Sequence, residues 1–299
     1  MDIDMADDKK SSGQLTLPIN FFRELDRNFH KGGRSFYFFD LDDNLLHLPT
    51  NIVIFRKTDG QMKEVSTADF ATIKEELNNP KSPWFEYETR FNNGYNSFMH
   101  FRDRKIDLRV EEQVLIHDLK KALDNPQLDW KGPSWNFFAY AVENSRPISI
   151  ITARGHHPST LKRALNHLVQ TRDLLAHPNY LGVYPVSHPA TRLELGDHAE
   201  KMSVAELKKK AIHQSVKDAF DCYGYNPHHR FGMSDDDEEN LKLILEAFRE
   251  LKQEYPEIAF FAFNTHGRKL QKLEVTLDGH IDKETLKTEQ GKFFDDRDS

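Results

Sequence analysis

Two acidic residues, Asp40 and Asp42, follow an apolar segment, Ser35–Phe39, that has the composition of a buried β-strand. Side chains two residues apart on an extended chain project to the same side, so both carboxylates can face one bound molecule. In such a pair, one carboxylate can attack a phosphorus atom and form an acyl phosphate. The other can protonate the leaving oxygen and later activate water. The spacing therefore favours phosphoryl-transfer chemistry at the end of this strand.

A cation is required if two carboxylates are to hold a phosphate group, because their charges would otherwise repel it. Mg²⁺ suits this site, since it prefers oxygen ligands and needs only one or two carboxylates besides water and phosphate oxygens. A second acidic run, Ser234–Glu239, follows the strand-like segment Arg230–Met233. Taken alone, that run could be a solvated helix start, where Ser and Asp are common. We predict four metal ligands: Asp40, Asp42, Asp235 and Asp236.

A hydroxyl and a lysine are the remaining groups that could receive phosphate oxygens. Thr152 follows the apolar strand Pro147–Ile151 and precedes a helix, whose start favours anions. Lys208 lies on the inward face of a predicted helix, Val204–Phe220, which begins with the capping box Ser203–Glu206. A cation from the protein would neutralise charge on the transferring group there. Three other lysines stay open for this role: Lys201, Lys209 and Lys210.

The acidic pair, Thr152, a later lysine and the second acidic run occur in an order that resembles the haloacid dehalogenase (HAD) superfamily. The resemblance implies that Asp40 is the nucleophile of an aspartyl-phosphate intermediate and that Asp42 is the general acid and base. It also implies phosphate binding by Thr152 and Lys208. Mg²⁺ is then bound by Asp40, the Asp42 carbonyl and Asp235.

The resemblance covers residues 33–48 and 134–265, and it leaves the segment between them without a counterpart. It implies a Rossmann-like core and an inserted cap that covers the site and selects substrates. Asp43 and Asn44 stand where many members have Gly and Thr, and the lysine lacks a sharp signature. These departures keep open a second hypothesis, a catalytically silent binding protein with the same fold. A phosphotransferase that uses the same site is a third.

Strand-like and helix-like segments alternate from about residue 110 onward, which indicates an α/β fold with a Rossmann-like, doubly wound parallel sheet. Within the insertion, Asp59-Gly60 predicts the turn of a β-hairpin. We divide the chain into four parts: a partly disordered N-terminal extension at 1–30, a HAD-like catalytic core at 31–48 and 110–268, an inserted α+β cap at 49–109, and a polar C-terminal tail at 269–299.

The composition disfavours several classes of partner. The chain has 41 Lys and Arg against 48 Asp and Glu, a formal net charge of -7, which gives no electrostatic footprint for nucleic acid or an anionic membrane. The single Cys222 cannot form an internal disulfide. No apolar run approaches the roughly 20 residues that span a bilayer. We therefore expect a cytoplasmic enzyme whose partner is a phosphorylated small molecule or a phosphoprotein.

Two histidine pairs and a group of aromatic residues have simpler interpretations. His156-His157 and His228-His229 suggest zinc, but adjacent histidines point in different directions and no second ligand has helical spacing to either pair. We expect His156 or His157 to contact substrate at the rim of the pocket instead. Aromatic residues of the insertion are expected to form a small core, because no Lys or Arg residues cluster among them. They include Trp84, Phe85 and Tyr87.

Overall fold

The computed structural model describes residues 23–92, 95–104, 113–266 and 270–286. The strands in these ranges are β1 (Ser35–Phe39), β2 (Ile52–Arg56), β3 (Met62–Val65), β4 (Tyr87–Glu88), β5 (Phe91–Asn92), β6 (Tyr95–Asn96), β7 (Pro147–Thr152), β8 (Asn179–Pro185), β9 (Arg230–Asp235), β10 (Ala259–Asn264), β11 (Gln271–Val275) and β12 (Ile281–Thr285). The helices are α1 (Thr67–Ile73), α2 (Val114–Asp124), α3 (Trp135–Glu143), α4 (Pro158–Gln170), α5 (Pro189–Glu194), α6 (Val204–Tyr223) and α7 (Glu238–Glu254). None of these helices is both long enough and apolar enough to cross a membrane.

A seven-stranded sheet with the order β12-β11-β10-β9-β1-β7-β8 forms the centre of the fold. Its five strands from β10 to β8 are parallel. β11 and β12 extend the β10 edge in the antiparallel sense. The structure therefore confirms an α/β fold with a mostly parallel sheet.

Side chains of β1 alternate between two hydrophobic cores, one on each face of the sheet. Tyr37 and Phe39 pack with residues of α2, α3 and α4, whereas Phe36 and Phe38 pack with residues of α6 and α7. Phe36 stacks on Phe231 of β9, with ring centroids 4.6 Å apart. A strand that is covered on both faces needs apolar residues at consecutive positions. This explains why the segment shows no alternation of polar and apolar residues.

The predicted capping box sets the start of α6. The Ser203 hydroxyl accepts from the Glu206 main-chain N–H, and the Glu206 carboxylate accepts from the Ser203 N–H at 2.7 Å. These bonds satisfy two donors that the first helical turn would otherwise leave without partners. The start of the helix thereby fixes which residues face the sheet, and Lys208 is one of the buried ones.

The insertion forms a small unit with its own hydrophobic core. β2 and β3 pair as an antiparallel hairpin with Gly60 at φ 74°, and β4 pairs with the other edge of β2. Trp84 and Tyr87 pack in this core as expected. Phe85 instead is 40% exposed, and Lys57 Nζ lies 4.0 Å from its ring centroid. The buried members of the core are Ile52, Ile54, Val65, Ile73, Leu77 and Tyr87.

The insertion contacts the sheet domain at the loop that follows β7. The Gly155 N–H donates to the Phe101 carbonyl at 2.8 Å. A Cβ atom added to Gly155 would lie 3.0 Å from Cγ of Arg102, so the absence of a side chain allows this close approach. The loop after β7 is therefore joined to the last turn of the insertion by main-chain contacts.

The described parts of both terminal segments belong to the folded unit. Asp26 is buried and accepts from the Ser35 N–H at 2.6 Å and from the Ser35 hydroxyl at 2.8 Å. Residues 270–286, which the sequence analysis assigned to a polar tail, supply β11 and β12 to the main sheet. The expected disorder at the start of the extension falls on residues 1–22, which lie outside the described residues, as do 287–299.

Leu273 and Leu277 provide a test of whether β11 belongs to the core. Leu273 is 3% exposed within β11, whereas Leu277 is 63% exposed in the following turn. We expect Leu273→Ala to lower the free energy of unfolding by about 2–4 kcal/mol, because a buried leucine leaves a cavity. Leu277→Ala should change it by less than about 0.5 kcal/mol. Urea denaturation measures both values, and equally small changes would contradict the packing of β11.

Candidate active site

The chain reverses direction directly after β1, and this turn places Asp40 and Asp42 at the carboxyl edge of the sheet. The Leu41 carbonyl accepts from the N–H groups of both Leu45 and Leu46 at 3.0 Å. Asp43 adopts a left-handed conformation with φ 59°. Asp and Asn tolerate this conformation better than most other residues that carry a side chain. The turn therefore accommodates Asp43 at a position where many HAD proteins have glycine.

Asn44 ties this turn to three other elements. Its Nδ2 donates to the Asp40 carbonyl at 3.1 Å, to the Ser234 carbonyl at 3.1 Å and to Ser234 Oγ at 2.9 Å. Its Oδ1 accepts from Ser134 Oγ at 2.7 Å and from Thr265 Oγ1 at 3.0 Å. A threonine hydroxyl has only one hydrogen to donate and could not make these bonds. The sequence analysis treated Asn44 as a departure and missed this role in holding the strand ends together.

Lys208 joins Asp40 to Asp235 in a buried cluster. Its Nζ lies 2.7 Å from Asp40 Oδ1 and 3.3 Å from Asp235 Oδ2. The three residues come from α6, the end of β1 and the end of β9, and they are 3%, 6% and 1% exposed. The structure thus brings together three residues that the sequence analysis predicted from separate segments.

The other three candidate lysines do not reach this cluster. Lys209 pairs with two glutamates of α7, Glu246 and Glu250, at the surface. Lys201 and Lys210 are exposed and make no hydrogen bond to the described residues through their side chains. Successive helical residues are rotated by about 100°, so the neighbours of a buried lysine face elsewhere.

The buried cluster contains two carboxylates for one ammonium group. Burial by itself would lower the pKa of Lys208, but Asp235 and Asp40 more than offset this effect and raise it, so the ammonium stays charged. Burial raises the pKa of Asp40 well above its ordinary value, Lys208 opposes this rise, and Asp235 reinforces it. The described residues thus place one ammonium group against two carboxyl groups, and burial favours the protonated form of Asp40.

Asp236 is a further acidic residue near Asp235 and Lys208. Burial, followed by the charges of Asp235 and Asp43, raises the pKa of Asp236 to about 7. Its main-chain oxygen is 3.0 Å from Nδ1 of His266, which fixes the backbone at this point. Acidic side chains with raised pKa values mark a place where a bound cation would be favourable.

The acidic run at 234–239 divides between a helix start and the buried cluster. Asp237 caps α7, and its Oδ1 accepts from the N–H groups of Glu239 at 2.7 Å and Asn240 at 3.0 Å. Asp235 lies in β9 instead, where its Oδ1 accepts from the Asp237 N–H at 3.0 Å and Asn240 Nδ2 at 3.1 Å. A solvated helix start therefore accounts for Asp237 and not for Asp235.

The donor set of the cluster fits a hard divalent cation. Its available donors are oxygen atoms, and three acidic side chains, Asp40, Asp235 and Asp236, face the single cation of Lys208. Within the described ranges, no three acidic, histidine or cysteine side chains converge closely enough to hold a metal ion by themselves. Mg²⁺ does not need such a cage, because main-chain, water and phosphate oxygens complete its octahedral shell.

The Asp42 carboxylate lies apart from this cluster and is bound by Arg154. Arg154 Nε lies 2.8 Å from Oδ2 and 3.0 Å from Oδ1, and Nη2 lies 2.6 Å from Oδ1. The Arg154 side chain is fully buried, whereas that of Asp42 is 25% exposed. The sequence analysis gave Arg154 no role. The available signal was a charged residue in a turn of small residues directly after a buried strand.

Thr152 lies at the end of β7, the strand that pairs with β1. It is 1% exposed, and its Oγ1 accepts from the Arg154 N–H at 3.3 Å. Among the described residues, its hydroxyl makes no hydrogen bond to Asp40 or Lys208. The structure therefore places Thr152 at the same edge as Asp40, and its contact with phosphate stays a prediction.

One histidine of each pair, His156 or His229, is buried, whereas His157 and His228 are exposed. Neither ring nitrogen of His156 has a hydrogen-bond partner among the described residues. His156 therefore does not reach a pocket rim, and the predicted substrate contact stays open for His157 only. Burial, followed by the charge of Arg154, lowers the pKa of His156 to about 2. His229 Nδ1 accepts from the Arg34 N–H at 3.0 Å, and Nε2 lies 2.9 Å from the Gly224 carbonyl. Both ring nitrogens of His229 thus form hydrogen bonds with the main chain.

No protein-family model, curated protein or solved structure matches this chain. The function is therefore inferred from the site itself. Its central features are the buried contact of Lys208 with Asp40 and Asp235, and the contact between Arg154 and Asp42.

Replacement of Lys208 tests the cluster directly. We expect Lys208→Met to lower the free energy of unfolding by about 3–5 kcal/mol, because it leaves buried carboxylates without their partner. Lys209→Met is the matched control on the same helix. It should change stability by less than about 1 kcal/mol, since its ion pairs lie at the surface. Urea denaturation of both variants at pH 7.5 separates the two cases, and equal effects would contradict the buried cluster.

His156 should make the protein sensitive to acid. An unfolded histidine binds a proton near pH 6.5, whereas the pKa of about 2 keeps folded His156 neutral. The unfolded state therefore binds more protons as the pH falls below about 6.5. Stability should decrease by at most about 1.4 kcal/mol per pH unit in that range.

His156→Leu should remove this contribution, so the loss of stability between pH 7 and pH 4.5 should be smaller than in the wild type. Chemical denaturation at several pH values measures this loss of stability. The exposed His198→Leu variant is the control for the same change of side chain. An acid dependence that is identical in wild type and His156→Leu would refute the assignment.

Proposed function

We propose that this protein is a Mg²⁺-dependent phosphomonoester hydrolase of the HAD type that acts through an aspartyl-phosphate on Asp40. The observation that carries the proposal is the position of Lys208 Nζ between Asp40 Oδ1 and Asp235 Oδ2. Buried carboxyl groups that outnumber the cations beside them either take up protons or bind a further cation, and the raised pKa of Asp40 shows that such an imbalance exists here. In open parallel sheets, ligands bind at this carboxyl edge of the strands.

In the first step, Asp40 attacks the phosphorus atom of the substrate as the bond to the leaving oxygen breaks. Oδ2 is the attacking atom, because Lys208 holds Oδ1 and Oδ2 accepts no hydrogen bond from the described residues. Protonated Asp42 gives its proton to the leaving oxygen, so that the product departs as a neutral alcohol. Lys208 and the Thr152 hydroxyl stabilise the charge on the transferring group.

In the second step, a water molecule attacks the phosphorus atom of the acyl phosphate. Asp42, now a carboxylate, accepts the proton of this water. The bond between phosphorus and Asp40 breaks, inorganic phosphate forms, and the Asp40 carboxylate returns to its contact with Lys208. Asp42 is protonated again at the end of the cycle, so the two steps balance.

Bound Mg²⁺ would offset the negative charge of the phosphate and hold it against the nucleophile. Asp40, the main-chain oxygen of Asp42 and Asp235 would hold the ion, with Asp236 beside them. Asp237 and Asn240 orient the Asp235 carboxylate through its Oδ1. The protein thereby supplies positioned oxygen atoms and excludes water from one side of the site.

Two sequence features favoured a silent binding protein: asparagine at position 44 and a lysine without a clear motif. In the structure, the side-chain amide of Asn44 hydrogen-bonds to the ends of β1 and β9, to the start of α3 and to the residue after β10. Lys208 is the lysine that contacts Asp40. A hydrolase is therefore the function that we favour over silent binding. We propose a phosphorylated small molecule or phosphoprotein as substrate and a cytoplasmic setting.

Substitution of the nucleophile tests this function. We expect Asp40→Asn to lower the hydrolysis of 4-nitrophenyl phosphate by at least about 10³-fold, because the amide oxygen cannot form the acyl phosphate. Asp43→Asn is the matched control, since asparagine also tolerates the left-handed conformation at that position. EDTA should abolish wild-type activity, and Mg²⁺ should restore it. Full activity of Asp40→Asn would exclude this mechanism.

Beryllofluoride separates a working site from a silent one without relying on turnover. With Mg²⁺, it should raise the melting temperature of the wild type, because a ligand that binds only the folded state stabilises it. The rise should disappear in Asp40→Asn and persist in Asp43→Asn. Absence of any shift in the wild type, together with absence of hydrolysis, would favour a binding protein.

A further inference from the structure

We propose that Arg154 is the positioning residue for Asp42, and that it links the orientation of this carboxylate to the inserted cap. The inference rests on the proposed function and concerns how the general acid is held. Three contacts of 2.6–3.0 Å join the guanidinium to both oxygens of Asp42. A two-point contact of this kind fixes the plane of a carboxylate as well as its position.

Two residues of the insertion, Thr50 and Phe101, contact the guanidinium group that binds Asp42. Arg154 Nη2 donates to Thr50 Oγ1 at 3.1 Å, and Thr50 in turn donates to Asp118 Oδ2 at 2.7 Å. Thr50 lies at the start of the insertion, two residues before β2. The Phe101 ring, at the other end of the insertion, lies under the guanidinium with 4.7 Å between its centroid and Cζ. Two residues of the insertion, Thr50 and Phe101, therefore contact the residue that holds Asp42.

The exposure of Asp42 distinguishes this contact from an ion pair that only stabilises the fold. The Arg154 side chain is fully buried, whereas Asp42 is 25% exposed and could be solvated without the arginine. Arg154 therefore gives the solvent-accessible carboxylate of Asp42 a fixed orientation.

The chemistry of Asp42 depends on this orientation. As an acid it must point a protonated oxygen at the leaving group, yet in this structure both oxygens accept from Arg154. One oxygen must leave the guanidinium while the other stays bound, and a two-point clamp allows this. Thr50 and Phe101 keep Arg154 in place while that oxygen reorients.

This role predicts that only reactions that need an acid depend on Arg154. The quantity to measure is kcat/KM, which reports the steps up to formation of the aspartyl-phosphate. For phenyl phosphate, a substrate with a poor leaving group, Arg154→Gln should lower kcat/KM by about 10²-fold. For 4-nitrophenyl phosphate, whose leaving group needs little protonation, the decrease should be less than about fivefold. Arg154→Lys keeps the charge but not the two-point contact, so it should give an intermediate selectivity.

A structural role alone would lower kcat/KM for both substrates by the same factor, and that result would overturn the inference. Failure of the wild type to hydrolyse either substrate would instead refute the proposed function. If Arg154→Gln does not fold, Thr50→Val and Thr50→Ser provide the test, because only serine keeps the hydroxyl. A selective loss on phenyl phosphate for Thr50→Val, with Thr50→Ser unchanged, supports the link to the cap. Equal behaviour of the two variants on both substrates contradicts it.

Discussion

The contact of one buried ammonium group with two buried carboxylates is the constraint on which the rest of this site depends. Lys208 approaches Asp40 and Asp235 within 3.3 Å, and all three side chains are nearly inaccessible to solvent. Without Lys208, two negative charges would face each other where little water can reach them. With it, the cluster still has two carboxyl groups for one ammonium group, and this imbalance is the basis on which we propose a bound cation.

The sheet fixes the positions of two members of this cluster, Asp40 and Asp235. Asp40 follows β1 and Asp235 is the last residue of the neighbouring parallel strand β9, and the Asp40 N–H donates to the Ser234 carbonyl at 3.1 Å. Asn44 then ties the turn after β1 to β9, to the start of α3 and to the residue after β10. A turn at a sheet edge would otherwise be free to move. The fully bonded amide makes it part of the core.

Asp42 is held by a different part of the molecule. Asp40 and Lys208 are held by the sheet and α6, whereas Asp42, the proposed proton donor, is held by Arg154 and, through Thr50 and Phe101, by the insertion. Attack on phosphorus needs a fixed geometry, and proton transfer needs a group that can reorient during the cycle. Asp40 and Asp42 are held by different parts of the molecule, which suits these two requirements.

The sequence by itself determined the features that depend on neighbouring residues. Consecutive apolar residues predicted β1, the Ser203 capping box predicted the start of α6, and the position of Lys208 on that helix predicted that it faces inward, because local geometry follows from local sequence. Only the tertiary structure decided that Lys208 meets both Asp40 and Asp235, that Arg154 holds Asp42, and that residues 271–285 extend the sheet. These contacts join segments far apart along the chain, so no local pattern encodes them; they follow from how the strands and helices pack.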